Sequence, residues 1–265
     1  MRWDPAQYSQ YADERGRPFL DLLNRVGAVA PRRVVDLGCG PGNLTALLAA
    51  RWPSALVEGV DSSAEMIERA SRTVDGVAFG VGDVRSWEMP PDCDVLVSNA
   101  TLQWVPTHVE LLRSWAAALP AGGWLAIQVP GNFQSPSHTL MRSLAESARW
   151  APLIGSVLRH EDAVGSPASY AALLLDAGLY VDAWETTYLH RLPGADPVLQ
   201  WVRGTGLRPV LAALADQTVA VGGATGPAGA AFEAEYAAAL RTAYPTAEHG
   251  TLFPFRRIFA VARKT

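Results

Sequence analysis

The run Arg33-Val-Val-Asp-Leu-Gly38-Cys-Gly40-Pro-Gly42 constrains the fold more than any other segment of this chain. Val34, Val35 and Leu37 form a short apolar stretch that ends at glycine, which reads as a buried strand. The alternating glycines that follow permit backbone angles closed to other residues. They also let a ligand approach the main chain with no Cβ in the way. Such a turn suits an open parallel sheet, where ligands bind beyond the carboxyl ends of the strands at the point where strand order reverses.

The rest of the chain fits that sheet. Leu44, Leu47 and Leu48 predict a helix over 43–52 that Pro53 stops, and 55–60 reads as a strand ending at Asp61. Ser62-Ser-Ala-Glu65 has capping-box spacing, with the Ser62 hydroxyl accepting from Glu65 and the Glu65 carboxylate reaching back. Further strands are expected at 77–81, running into Gly82-Asp83, and at 94–98, ending at Asn99. Thr107-His-Val-Glu110 repeats the capping-box spacing before a helix through Leu112 and Trp115, and 124–129 reads as a fifth strand. Helices are expected at 136–150 and 167–178, the second capped by Ser166 before Pro167. A strand over 181–192 follows, then helical sequence over 196–245 interrupted by a flexible 221–227 stretch, then a strand over 252–262. The fold class is α/β: a doubly wound, mostly parallel, seven-stranded Rossmann-like sheet with an inserted helical subdomain.

The expected organisation is a single domain over 1–265. Residues 1–30 form an N-terminal lid and 31–130 the ligand-binding core. The helical insertions cover about 132–178 and 195–248.

Composition removes other classes. With 265 residues, 49% hydrophobic and 18% charged, the chain suits a folded protein and not a disordered one. A formal charge of −4 and the absence of a basic run argue against a nucleic-acid partner. No stretch approaches a membrane span, the first residues carry no apolar signal run, and the two cysteines lack metal-ligand spacing. These features point to a cytoplasmic protein without a bound metal.

Acidic residues discriminate among ligands. A dinucleotide fingerprint would place glycine at position 43, where this chain has Asn43. Asp36 precedes the first glycine, where a carboxylate sits poorly beside a pyrophosphate but suits the cationic amino-acid end of S-adenosylmethionine. Asp61 ends the next strand and is placed to accept from both ribose hydroxyls; Asp83 follows the third, placed for an adenine amino group. Each acid alone could be a loop or cap residue. Together, at three successive strand ends, they match one ligand running from methionine to adenine.

With Asp61-Ser-Ser, the segment Val34-Val-Asp-Leu-Gly-Cys-Gly-Pro-Gly-Asn43 resembles the class I methyltransferases. Trp3-Asp-Pro, Arg17-Pro18, Ser98-Asn-Ala-Thr-Leu-Gln-Trp104, Val181–His190, Thr205-Gly-Leu-Arg-Pro209 and Phe253-Pro-Phe-Arg256 extend the likeness to the trans-aconitate 2-methyltransferases. The chain departs from that pattern at 219–231 and around 147–160. The resemblance implies that S-adenosyl-L-methionine donates a methyl group to a carboxylate of a small polycarboxylic acid. The cofactor set is then Asp36, Gly38, Cys39, Gly40, Asn43, Asp61, Ser62, Met66, Asp83, Val84 and Asn99. Tyr8 and Arg17 come from the N-terminal lid, which also carries Trp3 and Tyr11.

A carboxylate is already ionised near neutral pH, so the reaction requires no general base. It does require an acceptor held in line and dry. Trp104, Tyr188, His190, Arg208 and Arg256 are the expected positioning groups, with Arg257 on the opposite face of the last strand from Arg256 and Trp184 sharing parity with Tyr188. Three alternatives remain: methylation of another small metabolite, nicotinamide-dependent oxidoreduction on a similar sheet, and a cofactor-binding scaffold without turnover.

Overall fold

The computed structural model describes residues 12–158, 161–221 and 224–265. In chain order the elements are α1 (Ala12–Leu23), β1 (Arg33–Leu37), α2 (Thr45–Arg51), β2 (Leu56–Asp61), α3 (Ala64–Thr73), β3 (Ala78–Val81), β4 (Cys93–Asn99), α4 (His108–Ala118), β5 (Trp124–Pro130), α5 (Pro136–Ala145), α6 (Ala151–Ile154), α7 (Pro167–Asp176), β6 (Leu179–Leu192), α8 (Pro197–Arg203), α9 (Arg208–Leu214), β7 (Thr218–Val221), β8 (Ala224–Pro227), α10 (Ala228–Ala243) and β9 (Thr251–Lys264). They fall into two compact units. Among the described residues, one comprises Ala12–Pro130 with Val164–Thr186 and Arg257–Thr265; the other comprises Gly131–Ala163 and Thr187–Arg256.

The main sheet has strand order β3-β2-β1-β4-β5-β9-β6. Strands β1 to β5 pair in parallel and β9 runs antiparallel to β5. This is the doubly wound, mostly parallel α/β sheet that the alternation of strands and helices predicts. Order reverses at β1, which lies between β2 and β4, so the glycine loop leaves the sheet at its switch point.

The central strands are apolar throughout because both of their faces are covered. Val34, Val35, Leu37, Val95, Leu96, Leu125 and Val129 are fully buried. Each contributes about 1.5–3 kcal/mol relative to leaving it in water. Trp115 and Leu112 of α4 pack into this core with Tyr170 and Leu174 of α7. The buried His108 ring bridges the Val105 carbonyl at 3.0 Å and the Tyr170 hydroxyl at 2.9 Å. At the opposite edge of the same strands, Arg32 forms a two-point bridge with Asp94 at 2.7 and 2.9 Å, and Arg33 joins Asp92 and Glu58. Trp184 stacks on Phe259 at 4.7 Å, with Arg25 over its other face at 5.3 Å.

Helix starts differ from the capping-box expectations. The N-cap of α3 is Ser63, whose hydroxyl accepts from Met66 N at 3.3 Å, and not Ser62. The reason is local: the Asp61 carboxylate accepts from Ser63 N at 2.9 Å, and the resulting turn sets the helix start one residue later. Thr107 caps α4 without a side-chain bond, because its backbone (φ −95°, ψ 22°) is outside the extended region that a capping hydroxyl requires. Ser166 caps α7 as expected, accepting from Ser169 N at 3.1 Å. Ser63→Ala should therefore lower stability by about 1 kcal/mol, and Ser62→Ala, at an exposed position, by much less. Urea midpoints of the two variants give the comparison, and equal shifts would contradict the cap assignment.

In the second unit, α5 ends at Ala145, short of the expected 150. The Trp150 indole donates to Glu235 at 2.9 Å and stacks edge-on with Phe232 at 5.2 Å. Around the expected flexible interruption, strands β7 and β8 pair antiparallel from Thr218↔Pro227 to Val221↔Ala224. The backbone ladder outweighs the weak strand propensity of Ala224-Thr-Gly-Pro.

Candidate functional site

In the sheet unit, the loop after β1 is closed by backbone bonds. Gly38 N and Cys39 N both donate to Val60 O, at 2.7 and 3.1 Å. Gly38, Gly40 and Gly42 all have positive φ, of 80°, 55° and 80°. Their surroundings differ. A Cβ on Gly38 would lie 1.9 Å from the Thr101 hydroxyl oxygen, and one on Gly42 2.7 Å from the Phe79 ring. Among the described residues, a Cβ on Gly40 would meet no atom within 4 Å. Gly38 and Gly42 are thus required by packing, and Gly40 faces open space where a ligand can approach.

Asp61 joins the two halves of this cradle. One carboxylate oxygen accepts from Gly40 N and the other from Ser63 N, both at 2.9 Å. Each oxygen has two acceptor positions, so capacity for two hydroxyl donors remains. Asn99 ends β4, and its Oδ1 is buried without a hydrogen-bond partner among the described residues. An acceptor in that state costs about 1–3 kcal/mol unless a donor arrives. The open face at Gly40, the spare acceptor capacity of Asp61 and the waiting Asn99 oxygen fit a ligand rich in donors, as S-adenosylmethionine is.

Asp36 is buried beneath the loop and accepts from the Thr45 hydroxyl at 2.7 Å. Burial, with the negative charge of Asp61 adding to it, raises its pKa from 3.8 to about 7. The folded chain therefore holds this proton between about pH 4 and 7 while the unfolded chain releases it. The stabilisation is full below about pH 4, declines through that window and is gone above about pH 7, at up to about 1.4 kcal/mol per pH unit. Asp36→Asn keeps the acceptor for Thr45 and removes the proton. Urea midpoints at pH 5 and pH 7 should show the parent losing up to about 3 kcal/mol relative to the variant. Parallel pH profiles would contradict this.

The remaining cofactor-side residues lie as follows. Cys39 is buried and burial pushes its thiol well up, so it is a packed, protonated side chain. Asp83 is half-buried and held by Arg85, through side chain and backbone, at a pKa of about 2. Met66 is buried in the first turn of α3, Val84 is half-buried, and Asn43 and Ser62 are exposed. Arg17 lies exposed on α1, where Phe19, Leu22 and Leu23 form the buried face. Trp3, Tyr8 and Tyr11 lie outside the described residues. Trp104 ends a half-buried 3-10 turn, Leu102–Trp104, entered through Ala100 at φ 54°. A non-glycine residue there is strained by about 1–3 kcal/mol. Gln103, which donates to Ala100 O at 2.6 Å, helps hold it. Thr45, Ala100 and Thr101 were not legible as site residues, because their roles arise from packing around the loop and not from any spacing.

In the other unit, Tyr188 and His190 share one buried face of β6, as their equal parity requires. Their rings are nearly parallel at 6.4 Å, and His190 stacks on Trp201 at 4.7 Å beside Phe255 at 6.2 Å. Arg256, half-buried, is locked through its backbone: its N donates to Asn132 Oδ1 at 2.7 Å, and Asn132 Nδ2 donates to its carbonyl at 2.9 Å. Arg208 opens α9 and is half-buried. Arg257 belongs to the sheet unit, buried, with Nη1 3.5 Å from Gln128 Oε1. Among the described residues, no group of three or more His, Cys, Asp or Glu side chains could hold a metal, and no helix is long and apolar enough to cross a membrane.

The family described as "Methyltransferase domain" matches residues 11–183. A trans-aconitate 2-methyltransferase of Mycobacterium sp. (strain KMS) is 56% identical over 98% of this chain and 99% of its own length. One from Streptomyces coelicolor is 54% identical over 99% of this chain and 86% of its own. Among solved structures, the YcgJ protein of Bacillus subtilis superposes with a TM-score of 0.56 at 14% identity, over 94% of this chain and 99% of that one. A Haemonchus contortus phosphoethanolamine N-methyltransferase 2, solved with S-adenosyl-L-methionine, gives a TM-score of 0.52 at 16% identity over 94% of this chain and 53% of that one. At these identities the structural likeness speaks for the fold alone.

Proposed function

Since this chain belongs to the methyltransferase-domain family, and within it to the trans-aconitate 2-methyltransferases, we propose that it methylates a carboxylate of trans-aconitate or a closely related small polycarboxylic acid. The products are a monomethyl ester and S-adenosyl-L-homocysteine. The observation that carries this reading is 56% identity sustained over nearly the full length of a relative bearing that name.

When bound, S-adenosyl-L-methionine would supply an electrophilic methyl group, with S-adenosyl-L-homocysteine as the leaving thioether. The chain's own residues hold the reactants. Asp61 receives the ribose hydroxyls, the open face of Gly40 admits the cofactor against the main chain, and Asn99 Oδ1 accepts one further donor. The acceptor's attacking oxygen is already anionic, so its lone pair forms the new O–C bond without prior proton removal. Binding of the remaining carboxylates falls to Arg208 and Arg256, whose planar guanidinium forks suit carboxylates. Tyr188 and His190, packed with Trp201 and Phe255 in a buried aromatic cluster, hold β6 and β9 in place. A cytoplasmic location accompanies this reading, consistent with two buried free cysteines.

The test is incubation of the purified chain with S-adenosyl-L-methionine and a panel of polycarboxylates, followed by mass analysis for methyl esters. Trans-aconitate should give a monomethyl ester. Methylation of some other metabolite with no ester from any polycarboxylate would overturn the acceptor assignment.

A further inference from the structure

In the helical unit a small recess is lined by Phe133, His138, Met141, Arg142, Gly206 and Pro209, among others. Its volume is about 10 Å³, room for one water-sized group. His138 and Arg142 stand four residues apart on α5 and so share one face of that helix. Arg142 Nη1 is buried there and has no hydrogen-bond partner, and Arg142 forms no ion pair among the described residues. A buried guanidinium N–H left without an acceptor is expensive, more so than a neutral donor.

The His138 ring is fixed beside it. Its Nδ1 lies 3.2 Å from the Ser137 hydroxyl and it meets Phe133 edge-on at 5.5 Å. A Cβ on Gly206 would stand 3.4 Å from His138 Nε2 and 3.5 Å from Met141 Cε, so a larger residue at 206 would fill the recess. The neighbouring Thr205–Pro209 segment carries Arg208 at the start of α9.

We propose that this recess seats an oxygen of one acceptor carboxylate, with Arg142 as the specificity-determining cation. This deepens the acceptor reading above and rests on it. The chemistry favours an anion: Arg142 Nη1 offers an N–H to a single small acceptor, apolar Phe133 and Pro209 border the recess, and among the described residues no carboxylate pairs with Arg142. Arg142 lies outside the segments that carry the family resemblance.

The experiment compares the parent with Arg142→Met, Arg142→Lys and Gly206→Val, the last filling the recess without removing charge. Two measurements are made. One is steady-state kinetics with trans-aconitate; the other is calorimetric binding of tricarballylate, a saturated tricarboxylate, in the presence of S-adenosyl-L-homocysteine. Arg142→Met should raise KM for trans-aconitate about 30-fold with kcat within about threefold, as loss of a charge-assisted bond made equally in ground and transition states requires. Arg142→Lys should recover part of the loss, Gly206→Val should imitate Arg142→Met, and affinity for S-adenosyl-L-homocysteine should be unchanged in all three.

An unchanged KM and unchanged tricarballylate binding in folded Arg142→Met would overturn the proposal. If Arg142→Met does not fold, unchanged constants in Gly206→Val would overturn it equally. A parent that binds tricarballylate in an Arg142-dependent way yet makes no trans-aconitate ester would remove the acceptor reading and leave the recess standing. A parent that does not bind tricarballylate would sink both.

Discussion

Gly38→Ala should melt about 10 °C below the parent chain, whereas Gly40→Ala should melt within a few degrees of it and fail chiefly in cofactor binding. Both residues have positive φ, so alanine at either costs about 1–2 kcal/mol in backbone strain. What separates them is what the new methyl meets. At position 38 it would lie 1.9, 2.5 and 2.7 Å from three atoms of the Thr101 side chain, none of them a flexible end. Thr101 cannot withdraw freely: its hydroxyl lies 3.2 Å from Asn99 O and 3.4 Å from Gly38 O at the carboxyl end of β4. Overpacking then adds about 1–3 kcal/mol to the strain, and the loop separates from the sheet. At position 40 the methyl meets no atom of the described residues within 4 Å. It projects into the space reserved for the ligand, so affinity for S-adenosyl-L-homocysteine should fall by about tenfold or more with little loss of fold. Thermal melts with and without S-adenosyl-L-homocysteine distinguish the two, because only a binding-competent variant is stabilised by the ligand. If Gly40→Ala binds as the parent does, the open face at Gly40 is not the ligand's side.

The core of this fold was readable from sequence because the physics that makes it is local and repetitive. Val34, Val35 and Leu37 read as a strand buried on both faces, and they are one. The parity of Tyr188 and His190 placed them on one face of β6. That this face is buried against Trp201 and Phe255 depended on residues far along the chain. Capping failed at Ser62 for a related reason: the Asp61 carboxylate accepts from Ser63 N, and the turn so made moved the helix start one residue on. The β7–β8 pairing was missed because Thr218-Val-Ala-Val is only four residues long and Ala224-Thr-Gly-Pro carries glycine and proline, so the ladder specifies it more than propensity does. Arg142 and His138 had only helical spacing to recommend them, and their meaning depends on Gly206 and Pro209, more than sixty residues later.

The site itself was legible in its acids, and the structure separates their surroundings. Asp36 is bonded inward to Thr45, Asp83 is held by Arg85, and Asp61 spans the loop and the helix start. Asp61 is therefore the acid whose loss should act most strongly on cofactor binding. Asp61→Ala removes the acceptors for Gly40 N and Ser63 N together with those offered to the ribose. Charge-assisted bonds of this kind are worth about 1.5–3 kcal/mol each, so affinity for S-adenosyl-L-homocysteine should fall by about 10- to 100-fold or more. Asp61→Asn should fall between parent and alanine, since it retains one acceptor oxygen and turns an amide N–H₂ toward the other backbone donor. Loop positioning and direct contact can be told apart with an S-adenosyl-L-homocysteine analogue lacking the ribose 2′-hydroxyl. If Asp61 touches that hydroxyl, the analogue's penalty should shrink in Asp61→Ala, because a bond already lost cannot be lost again. If the penalties add in full, Asp61 acts only through Gly40 and Ser63. An Asp61→Ala chain with parental affinity would remove the ribose assignment altogether.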